Sequence, residues 1–305
     1  MELRVLEYFL ALTREGSVSR AAEVLHVSQP TLSRQLIDLE RELGTTLFER
    51  GRHGVTLTED GMLLRRRATE ICELARITER EIMLNRGVVA GEVRIGCAET
   101  RAIDLLASLM RDLQADHPQV TFRIVSDLAE SVVEKIDHGL LDFGLLLRVR
   151  DRWGLGSVRL PTRERAVVVM RPDSPLASLD SVSPEDLAGV PVMIPASYRE
   201  SGMLGDLRPA SEGGALDVTA EFDLAYNASR MVEAGMGCAV MLEGTLDGRG
   251  GALVSRPLDV ALDMPSYFVW KPSQLRTRAC EALLGRVRQR YEGVGAATPD
   301  DAKER

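Results

Sequence analysis

The sequence predicts an α/β protein in three stretches: a small helical head with a hairpin, one long helix, and a larger body in which strands and helices alternate. Three observations carry this. Apolar residues recur at three- and four-residue steps through residues 3–43, the signature of amphipathic helices. A four-three repeat of small and apolar residues continues from 64 to 85. From Glu92 onward, short β-branched runs such as VRIGC, VTFRIV and AVVVM are separated by helical patterns, the layout of crossover units on a parallel sheet.

Residues 3–15 place Leu3, Leu6, Phe9, Leu10 and Leu12 on one side of a helix, ended by Gly16-Ser17. A second helix spans 18–25, where Ala21 and Ala22 allow another helix to cross closely. His26-Val27 forms the turn. Ser28 is a good N-cap, and Pro30 suits a first turn whose N–H groups have no helical partner. The third helix carries Leu32, Leu36, Leu39 and Leu43 on its inner face, and Gly44 stops it. Two short helices joined by a tight turn make a helix-turn-helix, although many helical domains share this periodicity. TTLFERGRHGVTLT at 45–58 reads as a hairpin with a basic tip at Arg50, Arg52 and His53.

Thr58 caps a new helix, with Glu59 and Asp60 at its positive end. Leu64, Ala68, Ile71, Ala75, Thr78, Ile82 and Asn85 form a heptad seam, read as pairing with a second copy of the chain, with packing inside its own domain as the alternative. Gly87 to Gly91 is a hinge. In the body, strands at VRIGC, VTFRIV and LDFGLLL alternate with helices at 101–115 and 130–138. A second unit runs AVVVM, a helix near 184–188, PVMIP, a helix near 201–207, LDVTAEF, a helix at 226–235 and GCAVM. YFVWK and the helix 275–291 have no strand partner nearby in sequence and are expected to return to the first unit. The polar tail after Gly293 reads as disordered.

Composition narrows the function classes. The chain has 305 residues, a net charge of −8, 45% hydrophobic and 28% charged residues, ordinary for a soluble globular protein. No apolar run reaches the ~20 residues of a membrane span, and the acidic start MELRVLEYFL lacks a secretory signal's basic start and small-residue cleavage site, so a cytoplasmic, membrane-free protein is expected. Cys72, Cys97, Cys238 and Cys280 are far apart, which fits buried small hydrophobes better than a disulfide frame or zinc site; a redox pair of Cys97 with Cys238 is the alternative. No G-x-S-x-G, P-loop or H-E-x-x-H motif is present, and the four histidines (26, 53, 117, 138) are scattered, so neither an enzyme nor a metal or other cofactor is expected. Residues 1–58 hold seven arginines and eight acids, a net of −1, so any case for DNA binding rests on where the arginines sit.

The segment SVSRAAEVLHVSQPTLSRQLIDLERELGTTLFER closely resembles the N-terminal signature of LysR-type transcriptional regulators. The matching pieces are Ala21-Ala22, Leu25, Val27-Ser28-Gln29-Pro30, Leu32-Ser33, Leu39-Glu40, Leu43-Gly44, Leu47-Phe48, Arg50, Leu57-Thr58 and Gly61. RIGCAETRAIDLL, LLDFGLLL and MVEAGMGCAVM are similar to that family's effector-domain segments. The resemblance extends over about residues 1–292. It implies a winged helix-turn-helix DNA-binding domain at 1–58, a linker and dimerisation helix at 59–87, and an effector domain at 91–295. The effector domain would hold two α/β subdomains resembling periplasmic binding proteins, one at 91–161 with 267–292 and the other at 162–266. A sequence-specific regulator follows, controlled by a small molecule bound between the subdomains. Its partners would be double-stranded DNA, a second copy through the linker helix, a homotetramer built from such dimers, and RNA polymerase.

On this resemblance the third helix reads bases from its N-terminal end. Gln29 suits an adenine edge, Pro30 and Thr31 a thymine methyl, Ser33 a base or phosphate, and Arg34 phosphate or the minor groove. Arg50 and Arg52 on the wing reach flanking backbone, and the free N–H groups from Ser28 suit a phosphate. The effector is expected where strands end: at Ala98, Glu99 and Thr100 after the first strand, at Leu128, at Arg148 after LDFGLLL, at Ser197, Tyr198 and Arg199 after PVMIP, and at Tyr226 and Asn227 opening a helix. Glu99 departs from an anion site. A mix of Glu99, Arg148 and Arg199 suits a zwitterionic or polar anionic metabolite.

Overall fold

The computed structural model describes residues 1–51, 54–84, 88–147, 149–150, 153–201, 205, 207, 216–245, 252–260 and 264–293. The chain divides into two compact units, Met1–Arg86 and Gly87–Arg305.

The first unit begins with α1 (Leu3–Glu15), α2 (Val18–Val24) and α3 (Gln29–Leu43), followed by the hairpin β1 (Phe48–Gly51) and β2 (Gly54–Leu57) and by α4 (Glu59–Leu84). The apolar faces meet in one core of Val5, Phe9, Leu12, Ala21, Ala22, Leu32, Leu36, Leu39, Leu47 and Phe48. Leu43, expected on the inner face of α3, is exposed, because Gly44 turns the chain into the left-handed region (φ 69°) and ends the helix before Leu43 meets another element. Leu3, in the same way, sits at the exposed start of α1. Ser28 caps α3 as its sequence suggests, its Oγ accepting from the Thr31 N–H at 3.3 Å. The hairpin is tied to α3 by Glu40, whose Oε1 accepts from the Leu47 N–H at 2.8 Å. Thr58 Oγ1 accepts from the Gly61 N–H at 3.0 Å to cap α4. Gly61 is required here, since a Cβ would stand 1.9 Å from the Leu47 carbonyl oxygen.

The seam on α4 divides. Ala68 is buried and Leu64 half-buried against Leu6 and Leu10 of α1, with Cys72 beside them, so the first part of the seam packs within its own domain. Glu7 of α1 and Arg76 of α4 add an ion pair at 3.1 Å. Ile71 and Ile82 from the same seam stay exposed, as do Leu63 and Leu74. Residues 63, 71, 74 and 82 share one helix face. Asn85 lies outside the described residues.

Among the described residues, the second unit holds two five-stranded sheets. Its elements are β3 (Gly91–Cys97), α5 (Ala102–Asp116), β4 (Val120–Ser126), α6 (Ala129–Asp137), β5 (Phe143–Leu146), β6 (Gly156–Glu164), β7 (Ala166–Met170), β8 (Pro191–Pro195), α7 (Ala196–Ser201), β9 (Asp217–Phe222), α8 (Ala225–Glu233), β10 (Cys238–Leu242), β11 (Val254–Pro257), β12 (Met264–Trp270) and α9 (Arg278–Tyr291). The sheet orders are β4-β3-β5-β12-β6 and β11-β7-β10-β8-β9. The strand containing YFVWK does return to the first sheet, between β5 and β6. Both sheets are mixed rather than purely parallel: β12 runs antiparallel to β5 and β6, and β7 antiparallel to β10 and β11. β6 and β12 are the two crossovers, paired from Gly156↔Trp270 to Glu164↔Met264. Neither β6 nor β11 stood out in the sequence, because both mix polar and proline residues into their runs.

Two expected helices differ. The one near 184–188 is a single 3-10 turn, Glu185–Leu187, since Pro184 opens it and Gly189 closes it. The one near 201–207 starts at Ala196, directly after β8, so that Ser197, Tyr198 and Arg199 lie in a helix rather than a loop. A buried pair braces the first sheet: Arg94 donates to Asp142 from Nε at 3.0 Å and Nη2 at 2.8 Å, and its backbone N–H donates to Asp142 Oδ2 at 2.8 Å. Such a bidentate, hydrogen-bonded geometry is what allows two charges to leave water. The tail from residue 294 lies outside the described residues.

Candidate DNA-reading helix and effector junction

At the first candidate site, Gln29, Pro30 and Thr31 form the first turn of α3 and are all exposed, with Ser28 exposed beside them. The Ser28 and Thr31 hydroxyls lie 2.7 Å apart. Ser33 is half-buried one turn on. Arg34 points outward with 84% of its side chain exposed, 4.0 Å from Asp38. The backbone of Arg50 lies in β1, across from Val55; its side chain, and all of Arg52 and His53, lie outside the described residues. A helix N-terminus presents uncommitted N–H groups and the positive end of the helix dipole, both suited to a phosphate. Around it, Gln29, Thr31 and Arg34 offer donors and acceptors to base edges and backbone.

At the second site, the parallel register β3–β4 places Cys97 opposite Ser126, and the Asp127 N–H donates to the Cys97 carbonyl at 3.1 Å. The turn Ala98–Thr100 therefore lies beside Leu128, the first residue before α6. Glu99 reaches across to the second sheet: its Oε2 accepts from the Ala225 N–H at 2.8 Å, at the start of α8. Leu224, at the N-cap, gives α8 no side-chain cap, so Glu99 supplies the anion that the helix dipole favours. Tyr226 and Asn227 follow on the same turn, exposed. Ser197, half-buried, is the second residue of α7, just past the end of β8, which pairs with the β9 strand that leads into α8.

Two candidates are placed otherwise than expected. Thr100 is buried, and its Oγ1 accepts from the Ala102 N–H at 3.0 Å, capping α5. The same N–H is met a second time from within the chain, since Glu164 Oε1 accepts from it at 3.1 Å. Tyr198 is 3% exposed in the core of the second sheet, in a cluster with Leu176, Leu187 and Ile194, because the early start of α7 turns it inward. Arg148, and the side chain of Arg199, lie outside the described residues.

Sequence reasoning missed Glu164, Arg101 and Glu243. Arg101 and Glu243 pair at 3.5 Å between the two halves of the second unit. Nothing in the polar run TRERA distinguishes the inward Glu164 from its exposed neighbours. Asp127 is pushed up by burial but held lower overall by hydrogen bonds from Lys135, Ser131 and the Leu128 N–H. Cys97 and Cys238 are free and buried. Burial and then the Glu99 charge push the Cys97 thiol up, and burial pushes Cys238 to about 11. Both shifts oppose the thiolate form that a redox pair would need. No helix of the described residues is long and apolar enough to cross a membrane.

Comparison with known proteins agrees with this architecture. Residues 3–62 match the model of the bacterial regulatory helix-turn-helix protein, LysR family, and residues 86–292 match the LysR substrate binding domain. The regulator ClcR of Pseudomonas putida is 36% identical over 147 residues, 47% of this chain and 49% of ClcR, so the chain spans about half of that relative. The hydrogen peroxide-inducible genes activator of Pectobacterium carotovorum subsp. carotovorum is 28% identical over 96% of this chain and 94% of its own length. The crystal structure of CbnR, a LysR family transcriptional regulator, superposes with a TM-score of 0.74 at 21% identity, covering 95% of this chain and 99% of that one, a likeness of fold. The chain belongs to the LysR family of DNA-binding transcriptional regulators, not enzymes, with its helix-turn-helix domain first and its effector-binding domain behind it.

Proposed function

We propose that this chain binds a specific DNA site through the N-terminal turn of α3, as a dimer joined through α4, and that a small molecule held around the Glu99–Ala225 junction sets its activity. The observation that carries this is the outward first turn of α3, where Gln29, Pro30, Thr31 and Arg34 stand free of the domain core. Gln29 reads an adenine edge, Pro30 and Thr31 touch thymine methyls, and Ser28, Ser33 and Arg34 fix register on the backbone. Arg50 and Arg52 extend the contact from the wing.

Dimerisation is supported by Leu63, Ile71, Leu74 and Ile82, which leave an apolar face of α4 in water unless a second helix covers it. Two half-sites one helical turn apart then follow. A dimer of such dimers and contact with RNA polymerase fit a regulator of this architecture. A full-length CbnR has been crystallised in complex with its target DNA, and a DNA complex is the reading proposed for this chain. The effector contacts are assigned to Ala98, Glu99, Leu128, Ser197, Tyr226 and Asn227, with Thr100, Tyr198, Arg148 and Arg199 around them.

The test is a gel shift and footprint on the DNA upstream of the chain's own gene. The full chain should protect two half-sites, and removal of residues 1–58 should abolish protection. Equal binding by the truncated chain would refute the assignment.

A further inference from the structure

Midway along α3, beyond the turn assigned to base reading, Ile37 stands outward. It is 43% exposed, whereas Leu32, Leu36 and Leu39 of the same helix are exposed by 1% or less. A lone isoleucine in water is ordinary, so its place on the helix decides its meaning. At about 3.6 residues per turn, Pro30, Ser33 and Ile37 fall within about 60° of one another around the axis. Arg34 and Arg41, both exposed, flank this strip on the side away from the buried leucines.

Charge sorts the helix in the same direction. The acids of α3 are Asp38, Glu40 and Glu42. Asp38 and Glu42 lie about 100° or more around the axis from Ile37. Each acid is engaged within its own domain: Asp38 with Arg41 at 2.6 Å and Arg34 at 4.0 Å, Glu40 with the Leu47 N–H, and Glu42 with the Met1 ammonium. The strip from Pro30 to Ile37 therefore turns no carboxylate toward a phosphate backbone. Ile37 is also stiff, since a β-branched side chain in a helix has one strongly preferred χ1. It presents a fixed apolar surface that loses little freedom on contact.

We propose that Ile37 is a specificity-determining residue that packs on the 5-methyl group of a thymine in the major groove, an assignment that rests on the reading of α3 as the DNA-reading helix. The thymine methyl is the apolar group among the base edges displayed there. Ile37 stands about 12 Å from Gln29 along the axis, at a rise of about 1.5 Å per residue. Its thymine then lies within about four base pairs of the pair read by Gln29, at about 3.4 Å per step. Such a contact carries sequence information and neutralises no phosphate, which separates Ile37 from Arg34 beside it.

The full chain selects duplexes from a random-sequence pool, and the selected site is remade with each thymine replaced in turn by deoxyuridine, which lacks only the methyl. At one thymine per half-site, loss of the methyl should weaken wild-type binding by about fourfold, the effect of one buried methyl-sized group. Ile37→Ala should weaken binding to the unmodified site with the salt slope and the thermal midpoint unchanged. It should be indifferent to that one replacement, so that the two losses do not add. Ile37→Val, which keeps the branch, should restore the response to the methyl. Additive losses at every thymine, a changed salt slope or undiminished binding in Ile37→Ala overturns the proposal. Gln29→Ala is measured on the same duplexes. If it loses discrimination while Ile37→Ala does not, the Ile37 assignment alone falls; if neither does, or if the pool yields no preferred sequence, the reading of α3 falls with it.

Discussion

The two units of this chain treat polar groups in opposite ways. Among the described residues, every buried polar or charged side chain, namely Arg94, Thr100, Asp142, Glu164, Ser229 and Ser266, lies in the effector unit. The first unit closes on an apolar core and sets its polar groups outside. The helix ends show the same contrast. The cap of α3 is the exposed Ser28, whereas α5 is capped by the buried Thr100 and Glu164 and α8 by Glu99 from the first sheet. A reading head needs free donors held on a rigid frame. A unit that responds to a ligand needs internal polar contacts that a ligand can replace.

Removing an internal charge should give the largest effect. Asp142→Ala leaves Arg94 buried without its partner and should cost about 3–5 kcal/mol, read as a large loss in the urea midpoint of the effector unit. An effect near that of a surface substitution would erase the contrast between the units. Next comes Gln29→Ala, which removes an outward group that supports nothing inside. It should leave stability unchanged and lower discrimination at one base pair by about 1–3 kcal/mol, measured by competition among single-base operator variants. Arg34→Ala, by comparison, should weaken all sequences alike and reduce the salt slope by about one.

Ser28→Ala tests the side-chain cap at the start of α3. Loss of the cap should cost about 1 kcal/mol, visible as a lower thermal midpoint, with weaker DNA binding following from the frayed turn. The smallest effect is expected at Asp127, beside Leu128. Its carboxyl titrates below the usual range, so its stabilisation is in place above about pH 4, its unfolded value, and is lost as pH falls through the folded one. Asp127→Asn should flatten that part of the acid-unfolding curve and leave neutral pH almost untouched.

Much of the first unit was legible in the residues. Ser28 as cap, Pro30 in the first turn, Gly44 as stop and Thr58 opening α4 are local rules, decided by groups within four residues, and each is found in place. The heptad seam was only half legible. Its period is real, but two partners competed for it, and α1 took Leu64 and Ala68. The effector unit was legible as alternating strands and helices. Its register was not, because pairing of β6 with β12 joins residues about a hundred positions apart, which no local pattern encodes.

The sequence by itself determined the helix-turn-helix, the outward turn at Gln29–Thr31 and the order of strands and helices, since periodicity and caps act over one or two turns. Only the tertiary structure decided that Tyr198 is core, that Thr100 caps its own helix, that Glu99 spans to Ala225, and that Glu164 is buried with one oxygen unmet. These depend on which distant backbone N–H or apolar surface meets a side chain once the sheets have formed. A carboxylate in a polar run reads alike whether it faces water or the protein interior.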